Sequence, residues 1–316
     1  MRKLFPKADP DAPKVPYLQK MIGLFFALVM IWVLFGRGSP IADKDGGELG
    51  TIASSNANMP MTVPKPRVAS LSPAITDSLV ALGLQAHVVG RSGYCRSVDA
   101  SIAVVGDLRE FDAERLALVA PDVLFVQPPL AGVDPALREY CDAKHIMLRA
   151  RRIDSIADLS ALVDDIELAF DSADASTKTT LAIALSRYRA LLAPPPPLEA
   201  NAPRVLLVVS VDPFLAIGRG GYLDELLTAA GLANVLDRPG YLELSTEQLL
   251  LLSPDAILGV SETAAGAAKI DAAMRRLPWS NGAPKINSRA LPALLSPSLA
   301  ALDARDELAR LAAGAK

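Results

Sequence analysis

The sequence predicts an α/β protein of two similar lobes with mainly parallel sheets, joined by one long helix and preceded by a membrane helix. Three observations support this architecture. One motif occurs twice: an apolar strand, a helix that ends in glycine, and a helix closed by Pro-Asp before another strand. Apolar residues recur at helical spacing between the two copies, and an uncharged apolar run stands near the start of the sequence.

The two copies of the motif correspond segment by segment. The first copy comprises residues 67–72, 77–84 and 114–124, and the second comprises residues 204–210, 224–232 and 247–258. A chain that makes the same α/β lobe twice makes a cleft between the two copies. Clefts between lobes are common binding sites for small ligands.

Local signals define the elements of the first lobe. An apolar strand at 68–71 leads into Ser72, which suits a helix N-cap, and Pro73, which suits the first helical position. Gly83 can supply the left-handed residue that ends this helix. Further strands are predicted at 88–90, 104–106, 123–126 and 146–148, and further helices at 114–120 and 134–144.

The segment 156–192 has apolar residues at helical spacing. We interpret it as one long helix with a possible interruption near 171–176, ended by the four prolines 194–197. The folded body then divides into a first lobe at 67–155, a connecting helix at 156–193 and a second lobe at 203–316. Because a helix is a stiff connector, we expect only small lobe closure when a ligand binds.

The N-terminal region carries the membrane signal. Residues 21–36 contain no charge, five basic residues precede them, and only Arg37 follows closely. This pattern predicts an uncleaved single-pass anchor in the inner membrane, with the folded body on the periplasmic side. The predicted parts are a cytoplasmic tail at 1–16, a transmembrane anchor at 17–36 and a flexible tether at 37–66. The alternative is a cleaved signal peptide; a lipoprotein anchor is not expected, because no cysteine follows the apolar run.

Composition argues against several classes of protein. A net charge of −3 without a basic cluster argues against nucleic-acid binding. The two cysteines, Cys95 and Cys141, are too few for a disulfide scaffold, and we expect them to be unpaired, although an oxidising compartment would permit a pair. His87 and His145 are isolated, which argues against a histidine-rich metal site, so we predict no resident metal or cofactor.

Several longer motifs carry a resemblance to a known family. They are Arg67 to Leu84, Val89-Gly-Arg-Ser-Gly-Tyr-Cys, Val105-Gly-Asp, Gly218-Arg-Gly-Gly-Tyr-Leu-Asp-Glu-Leu-Leu, and the two segments that begin at Glu114 and Glu247. Their order and spacing resemble the helical-backbone periplasmic binding proteins, which serve ABC importers for cobalamin, iron-siderophores and haem. The cobalamin-binding branch looks most similar, and the resemblance covers roughly residues 67–310.

The resemblance implies a docking role for two glutamates. Members of the family carry one glutamate on each lobe that docks into arginine pockets of the permease, and Glu114 and Glu247 stand at the matching positions. Charge-assisted pairs between carboxylate and guanidinium would fix the orientation of such a complex. The alternative is that both residues are favoured simply because they lie near helix N-termini.

The resemblance also implies a set of ligand-binding residues. Tyr94 and Tyr241 match aromatic cleft positions, and Phe214 is similarly placed; partial burial in the core is the alternative for each. Leu108 and Gln127 stand where the cobalamin branch can place tryptophans. The full predicted set is Tyr94, Phe214, Tyr241, Gln127 and Arg289, with Arg91 or Arg109 as further candidates for meeting an anionic group, although solvated loop charges are the simpler interpretation of all three arginines. Cobalamin, another corrinoid, haem and a ferric siderophore remain open as ligands.

Three functions follow from these observations. The first is a monomeric, membrane-tethered solute-binding component of an ABC importer that captures a corrinoid or other large metal chelate and delivers it to a permease. The second is a tethered sensor or scaffold that keeps the fold without a transporter. The third, an enzyme, is not expected: Ser72 lies at a helix N-terminus, but the sequence shows no histidine partner, phosphate loop or dinucleotide fingerprint.

Overall fold

The first lobe is built on a five-stranded sheet in which every pair of neighbouring strands is parallel. The structure, a computed structural model, describes residues 65–279 and 282–314. Strand order in this sheet is β3-β2-β1-β4-β5. The strands are β1 Val68–Ser70, β2 Val88–Ser92, β3 Ala103–Gly106, β4 Val123–Val126 and β5 Met147–Ala150. The predicted parallel sheet of the first lobe is therefore confirmed.

Three helices connect these strands. They are α1 Pro73–Ala81, α2 Ala113–Val119 and α3 Pro135–Lys144, with a short 3-10 turn at Gln85–His87. Ser72 caps α1 by accepting a hydrogen bond from the amide of Ile75, and Pro73 is the first helical residue. Gly83 follows with φ of 76°, the left-handed conformation expected after a helix end. The predicted start and end of this helix are confirmed.

The connection between the lobes differs from the prediction of one long helix. It consists of two helices, α4 Ile156–Ala169 and α5 Ala175–Leu192. Helix α4 ends at the buried Phe170, and Asp174 starts α5 by accepting a hydrogen bond from the amide of Thr177. The possible interruption predicted near 171–176 is therefore a true break between two helices, each with its own buried face. Helix α5 has 18 residues, about 27 Å of length, and ends before the four prolines.

The second lobe contains a mixed six-stranded sheet. Strand order is β11-β10-β6-β7-β9, and β8 pairs with β6. The strands are β6 Arg204–Val211, β7 Phe214–Ile217, β8 Ala233–Asn234, β9 Tyr241–Glu243, β10 Ala256–Ser261 and β11 Lys285–Ala290. Strands β10 and β11 run parallel to β6, whereas β7 turns back as a hairpin and pairs antiparallel. Three of the five strand pairs are therefore parallel, as predicted, and both antiparallel pairs involve β7.

The helices of the second lobe follow the predicted repeat. They are α6 Tyr222–Ala229, α7 Thr246–Leu251, α8 Ala264–Arg275, α9 Leu299–Asp303 and α10 Arg305–Ala313, with a 3-10 turn at Pro292–Leu295. Gly231 follows α6 with φ of 75°, as Gly83 does after α1. The two lobes therefore end their first motif helix in the same way.

The lobes share a continuous core. One cluster of buried side chains includes Leu79 from α1, Leu162 from α4, Leu185 from α5 and Leu207 from β6. Helix α9 of the C-terminal segment also packs on α1, where the Ser78 hydroxyl accepts a hydrogen bond of 3.1 Å from the Leu299 amide. This shared core supports the expectation of stiff lobes with small relative motion.

Both cysteines are free and buried. Burial raises the pKa of the Cys141 thiol to about 11 and also raises the pKa of the Cys95 thiol. The expectation that they do not pair is confirmed, because Cys95 lies beside Thr76 and Cys141 lies in a separate cluster of the first lobe.

The predicted cytoplasmic tail, membrane anchor and tether lie outside the described residues, apart from residues 65 and 66. None of the helices described within 65–279 and 282–314 has the length and apolar character needed to cross a membrane.

The contact between α1 and α9 gives a testable prediction. Ser78→Ala should lower the free energy of unfolding by about 1–3 kcal/mol, because the Leu299 amide then lies buried without an acceptor. Urea unfolding followed by circular dichroism measures this change. Ser186→Ala is the matched control: Ser186 is exposed on α5 and bonds only to the Ile183 carbonyl of its own helix. Equal stability of the two variants would contradict the assigned role of Ser78.

Candidate functional site

A cavity of about 740 Å³ lies at the carboxyl ends of the strands of the first lobe. We call it the switch-point cavity. Its walls come from the residues that follow β1, β3, β4 and β5, which in a parallel sheet all lie at one edge. It is lined by Leu71, Asp107, Leu108, Arg109, Glu110, Phe111, Val126, Gln127, Pro128, Pro129, Ala131, Gly132, Val133, Asp134, Pro135, Leu137, Arg152 and Asp154.

The strand order explains why the cavity forms at this position. The chain runs from β1 outward to β2 and β3, then returns to β4 and continues outward on the other side. The loops after β1 and β4 therefore diverge, and open α/β sheets bind ligands in the crevice between such loops. At this point the Ser72 hydroxyl donates a hydrogen bond of 2.8 Å to Oε1 of Gln127. Gln127, one of the predicted ligand residues, thus lies at the centre of the crevice.

The loop 107–111 separates this cavity from a second one. It folds back on its own strand, because Gly106 pairs with Phe111 and Asp107 Oδ1 accepts hydrogen bonds from the amides of Arg109 and Glu110. Gly106 has φ of 141°, and a Cβ atom there would stand 2.6 Å from the Glu110 carbonyl oxygen. Only glycine fits this turn, so the sequence Val105-Gly-Asp fixes the wall between the cavities.

The second cavity, of about 730 Å³, contains Tyr94 and is called here the tyrosine cavity. Tyr94 is 70% exposed, so its ring is available to a ligand rather than part of the core. Glu114, at the start of α2, lines the same cavity. The alternative interpretation of Tyr94 as a core residue is therefore wrong.

Arg91 positions the loop that carries Tyr94. Its guanidinium is buried and donates hydrogen bonds to the carbonyl oxygens of Ser92, Cys95, Ala100 and Ile102, at 3.0 to 3.4 Å. Neither the idea that Arg91 meets an anionic ligand nor its interpretation as a solvated loop charge is correct. The sequence could not reveal this role, because it depends on carbonyl groups up to 11 residues away.

The other two arginine candidates differ in their surroundings. Arg289, at the end of β11, donates to Glu307 of α10 at 2.5 Å, so its charge is neutralised within its own lobe. Arg109 lies exposed on the wall of the switch-point cavity. Among the three, Arg109 is therefore the one whose side chain the structure places in a cavity.

The aromatic candidates of the second lobe lie outside both cavities. Phe214 is half-buried and packs on the lobe's core, as Trp279 does, which agrees with the core alternative for Phe214. Tyr241 is 58% exposed, and its side chain lies close enough to Tyr222 to influence the pKa of that residue. Burial is the main cause that raises the pKa of Tyr222 far above its ordinary range, and the nearby Tyr241 raises it further. The Tyr222 hydroxyl donates a hydrogen bond to the Leu294 carbonyl at 2.7 Å.

The second lobe nevertheless reaches the rim of the switch-point cavity. The amide of Tyr222, at the start of α6, donates to the carbonyl of Asp154 at 2.8 Å. Glu225 of the same helix accepts from the amide of Ile156 at 2.5 Å. Asp154 lines the cavity, so its mouth lies next to the second lobe.

Negative charges outnumber positive charges on the wall of the switch-point cavity. Four carboxylates and two guanidinium groups line it, and the Arg152 guanidinium lies 2.6 Å from the Asp154 carboxylate. The remaining surface is mainly apolar, with Leu71, Phe111 and Pro128 among its walls. The sequence analysis did not predict four of the lining residues, which are Phe111, Pro128, Pro129 and Arg152. Their only signal in the sequence is their position after predicted strands.

Glu114 and Glu247 occupy the same place in their lobes. Each is the second residue of a short helix, α2 or α7, and each is exposed. We call these two helices the docking helices, after the role predicted for their glutamates. Hydrogen bonding to Ser245 lowers the pKa of Glu247, so its carboxylate is charged at neutral pH.

One interaction holds each docking helix in place, and we call it the Arg–Asp clamp. The Arg67 amide donates to the Asp122 carboxylate at 2.8 Å, and the Arg204 amide donates to the Asp255 carboxylate at 2.8 Å. In the first lobe the Arg67 guanidinium also donates to the carbonyl groups of Val119 and Ala120 at the end of α2. In the second, Arg204 donates to the Ser253 carbonyl, just after α7. The clamp thus ties the end of each docking helix to the central strand of its sheet.

The remaining candidate groups of the first lobe, Ser72 and His87, form structural contacts. Within the described residues, 65–279 and 282–314, no cluster of three His, Cys, Asp or Glu side chains has the geometry of a metal site. Ser72, the residue best placed for a nucleophile, donates its hydroxyl to Gln127. His87 contacts the Pro66 carbonyl and Thr177, in the core beneath the sheet.

The Arg91 network gives a testable prediction. Arg91→Ala should lower the free energy of unfolding by about 1.5–3 kcal/mol, because buried carbonyl groups lose a charged donor. It should also open the loop 93–102 to trypsin at the exposed Arg96. Urea unfolding and limited proteolysis measure both effects. Arg109→Ala is the control, since Arg109 is exposed; equal loss in both variants would contradict the positioning role of Arg91.

Comparisons with known proteins find similarity in sequence and in fold. A family model described as periplasmic binding protein matches residues 68–140. The chain is also similar to an uncharacterized ABC transporter substrate-binding lipoprotein, YvrC, of Bacillus subtilis (strain 168). The two are 24% identical over 262 residues, which cover 76% of this chain and 81% of that protein.

Solved structures share the fold over most of the chain. The periplasmic heme-binding protein BhuT, in complex with two hemes, matches with a TM-score of 0.60 and 22% identity, over 80% of this chain and 99% of that chain. The periplasmic vitamin B12 binding protein BtuF of Vibrio cholerae matches with a TM-score of 0.57 and 19% identity, over 80% and 99%. The periplasmic heme binding protein HutB of Vibrio cholerae matches with a TM-score of 0.60 and 19% identity, over 78% and 98%.

The resemblance carried by the motifs is therefore confirmed: the chain is similar to the periplasmic binding proteins of ABC importers, in sequence over its first lobe and in fold over about four-fifths of its length.

Proposed function

We propose that the protein is the solute-binding component of an ABC importer, which captures a large metal chelate and delivers it to a permease. One observation carries the proposal. A ligand-sized cavity lies at the switch point of the first lobe, and both lobes present a charged glutamate on a helix held by the same Arg–Asp clamp. A charged group at the same place on each lobe suits a protein that carries a ligand to a partner and contacts that partner through both lobes.

The cavity favours a chelate of low net charge. Its volume lies in the range typical of small-molecule sites, and its walls are largely apolar. Arg109 is the one guanidinium on its wall that has no carboxylate partner among the described residues, because Arg152 pairs with Asp154. A strongly anionic siderophore would face four carboxylates there, whereas a corrinoid would not be repelled.

The relatives support the same class of cargo without choosing between its members. Among the similar structures, two are haem-binding proteins and a third is a vitamin B12 binding protein. We propose that Gln127 contacts the chelate inside the switch-point cavity. Tyr94, in the tyrosine cavity across the loop 107–111, and Tyr241, outside both cavities, are proposed to contact only the parts of a large chelate that extend beyond it. Phe214 and Arg289 are weaker candidates, because each is engaged within its own lobe. The exposed ring of Tyr94 offers a flat apolar face to a planar macrocycle.

We further propose that residues 17–36 hold the protein at the inner membrane, with the folded body on the periplasmic side. The apolar run and its basic flank support this, and a similar protein is named a lipoprotein, which is also held at a membrane. Glu114 and Glu247 are the proposed contacts with the permease.

A titration tests the cargo. The full chain in mild detergent is titrated with cyanocobalamin, haemin and two ferric siderophores, followed by absorbance and calorimetry. We expect one of the neutral or weakly charged chelates to bind one-to-one with a Kd at or below about 1 μM, and Gln127→Leu to weaken binding roughly 3- to 10-fold, as expected for one lost hydrogen bond.

Gln85→Leu serves as the control, because Gln85 is exposed on the 3-10 turn away from both cavities. Failure of every probe to bind would contradict the proposed class of cargo and favour either another solute or the tethered sensor. Binding that Gln127→Leu leaves unchanged would contradict the assigned cavity.

A further inference from the structure

Each docking helix exposes a leucine to the same extent. Leu118 on α2 is 84% exposed, and Leu251 on α7 is 83% exposed. Scattered exposed leucines are ordinary on a protein surface. Here, however, the two occupy the same position in a repeated motif, since each is the sixth residue after the N-cap of its helix.

The leucine and the glutamate of each docking helix share one face. Leu118 follows Glu114 by four residues, and Leu251 follows Glu247 by four, so each pair of side chains stands about 5–6 Å apart. The residue between them, Leu116 or Leu249, is buried in the core of its lobe.

These buried leucines fix the rotation of both helices. Since residues two apart in a helix point to nearly opposite sides, burying the middle leucine turns the Glu–Leu pair toward solvent. The Arg–Asp clamp fixes the other end of each helix in the same way in both lobes. The two Glu–Leu pairs are therefore exposed in the same way, on helices that are held to their sheets in the same way.

The charges of the two pairs are open to a partner. Neither Glu114 nor Glu247 forms an ion pair within the residues that the structure describes. Hydrogen bonding within α7 lowers the pKa of Glu247 and keeps it ionised. A carboxylate beside an apolar side chain is complementary to a cationic group beside an apolar pocket.

We infer that the docking unit of each lobe is the Glu–Leu pair rather than the glutamate alone. The partner is a membrane protein with two equivalent surfaces, each of which offers an arginine or lysine next to an apolar pocket that receives Leu118 or Leu251. This inference rests on the proposed function, because it specifies how the permease is recognised. The leucine supplies apolar burial close to the ion pair, where exclusion of water strengthens the charged contact.

Photo-crosslinking of the full chain tests this inference. Single cysteines are introduced as Leu118→Cys or Leu251→Cys and labelled with benzophenone maleimide at pH 7. Cys95 and Cys141 are 4% and 0% exposed, and burial raises the pKa of both, so the label reacts selectively with the introduced cysteine. The labelled protein is mixed with membranes of the cells that produce it and irradiated, and the adducts are identified by mass spectrometry.

We expect both positions to form adducts with one and the same multi-spanning membrane protein. The matched controls are Leu168→Cys and Ile183→Cys, whose native side chains are 55% and 68% exposed on α4 and α5. Few adducts with that membrane protein should form at these positions, because they lie on α4 and α5 rather than on a docking helix. Adding Leu251→Ala to the labelled Leu118→Cys protein should lower the adduct yield at 118 about threefold or more, because the second leucine contributes apolar burial to the same complex. A glutamate that docks without its leucine would leave that yield unchanged.

Three results would overturn the inference. The first is adducts at 118 and 251 with different proteins, or with lipid or a second copy of this chain. The second is a yield at those positions equal to that at 168 and 183. The third is an adduct yield at 118 that Leu251→Ala leaves unchanged. The experiment needs no cargo, so its failure is distinct from a failure of the titration: a protein that binds a chelate but forms no such adducts retains the proposed function and loses only this docking surface.

Discussion

The Arg–Asp clamp is the interaction on which the functional surface of both lobes depends. In each lobe an arginine that begins or precedes the central strand pairs its amide with an aspartate, and the aspartate amide donates back to the arginine carbonyl at 2.8 Å. That aspartate follows the docking helix and precedes the next parallel strand. The clamp therefore sets the distance between sheet and helix with two reciprocal hydrogen bonds, and it does so identically for Glu114 and Glu247.

The shared core complements the clamp by making the lobes one stiff body. Buried side chains run from α1 through α4 and α5 into β6, and α9 returns from the end of the chain to pack on α1. A protein of this kind can hold two docking surfaces at a constant separation whether or not its cavity is filled. We therefore expect recognition by a partner to depend on the surface pairs themselves more than on a large closure.

Much of the fold was readable in the sequence, because its signals are local. Ser72-Pro73 and Gly83 fix the bounds of α1 through caps within a few residues, and the recurrence of Pro-Asp fixed where each docking helix ends. The repeated motif predicted a cleft between two lobes, and the resemblance supplied the role of the two glutamates. These predictions needed no knowledge of contacts between distant segments.

The features that sequence did not reveal depend on such contacts. The sequence indicated a possible interruption between α4 and α5, but not that the connection is two separately capped helices. The role of Arg91 depends on carbonyl groups that converge only in the folded loop, and Arg289 of β11 pairs with Glu307 of α10. In the sequence alone, an arginine that forms structural contacts cannot be distinguished from one that is free to bind a ligand.

The central claim is that the chelate occupies the switch-point cavity beneath the second lobe, and hydrogen exchange measured by mass spectrometry tests it most directly. The full chain is compared with and without the chelate that binds. The account predicts slower exchange in the loops 107–111 and 127–134, with α5 unchanged. Two results together would contradict it: unchanged exchange in both loops, and slower exchange only around 201–203 and 309–313. These residues line a separate cavity in the second lobe.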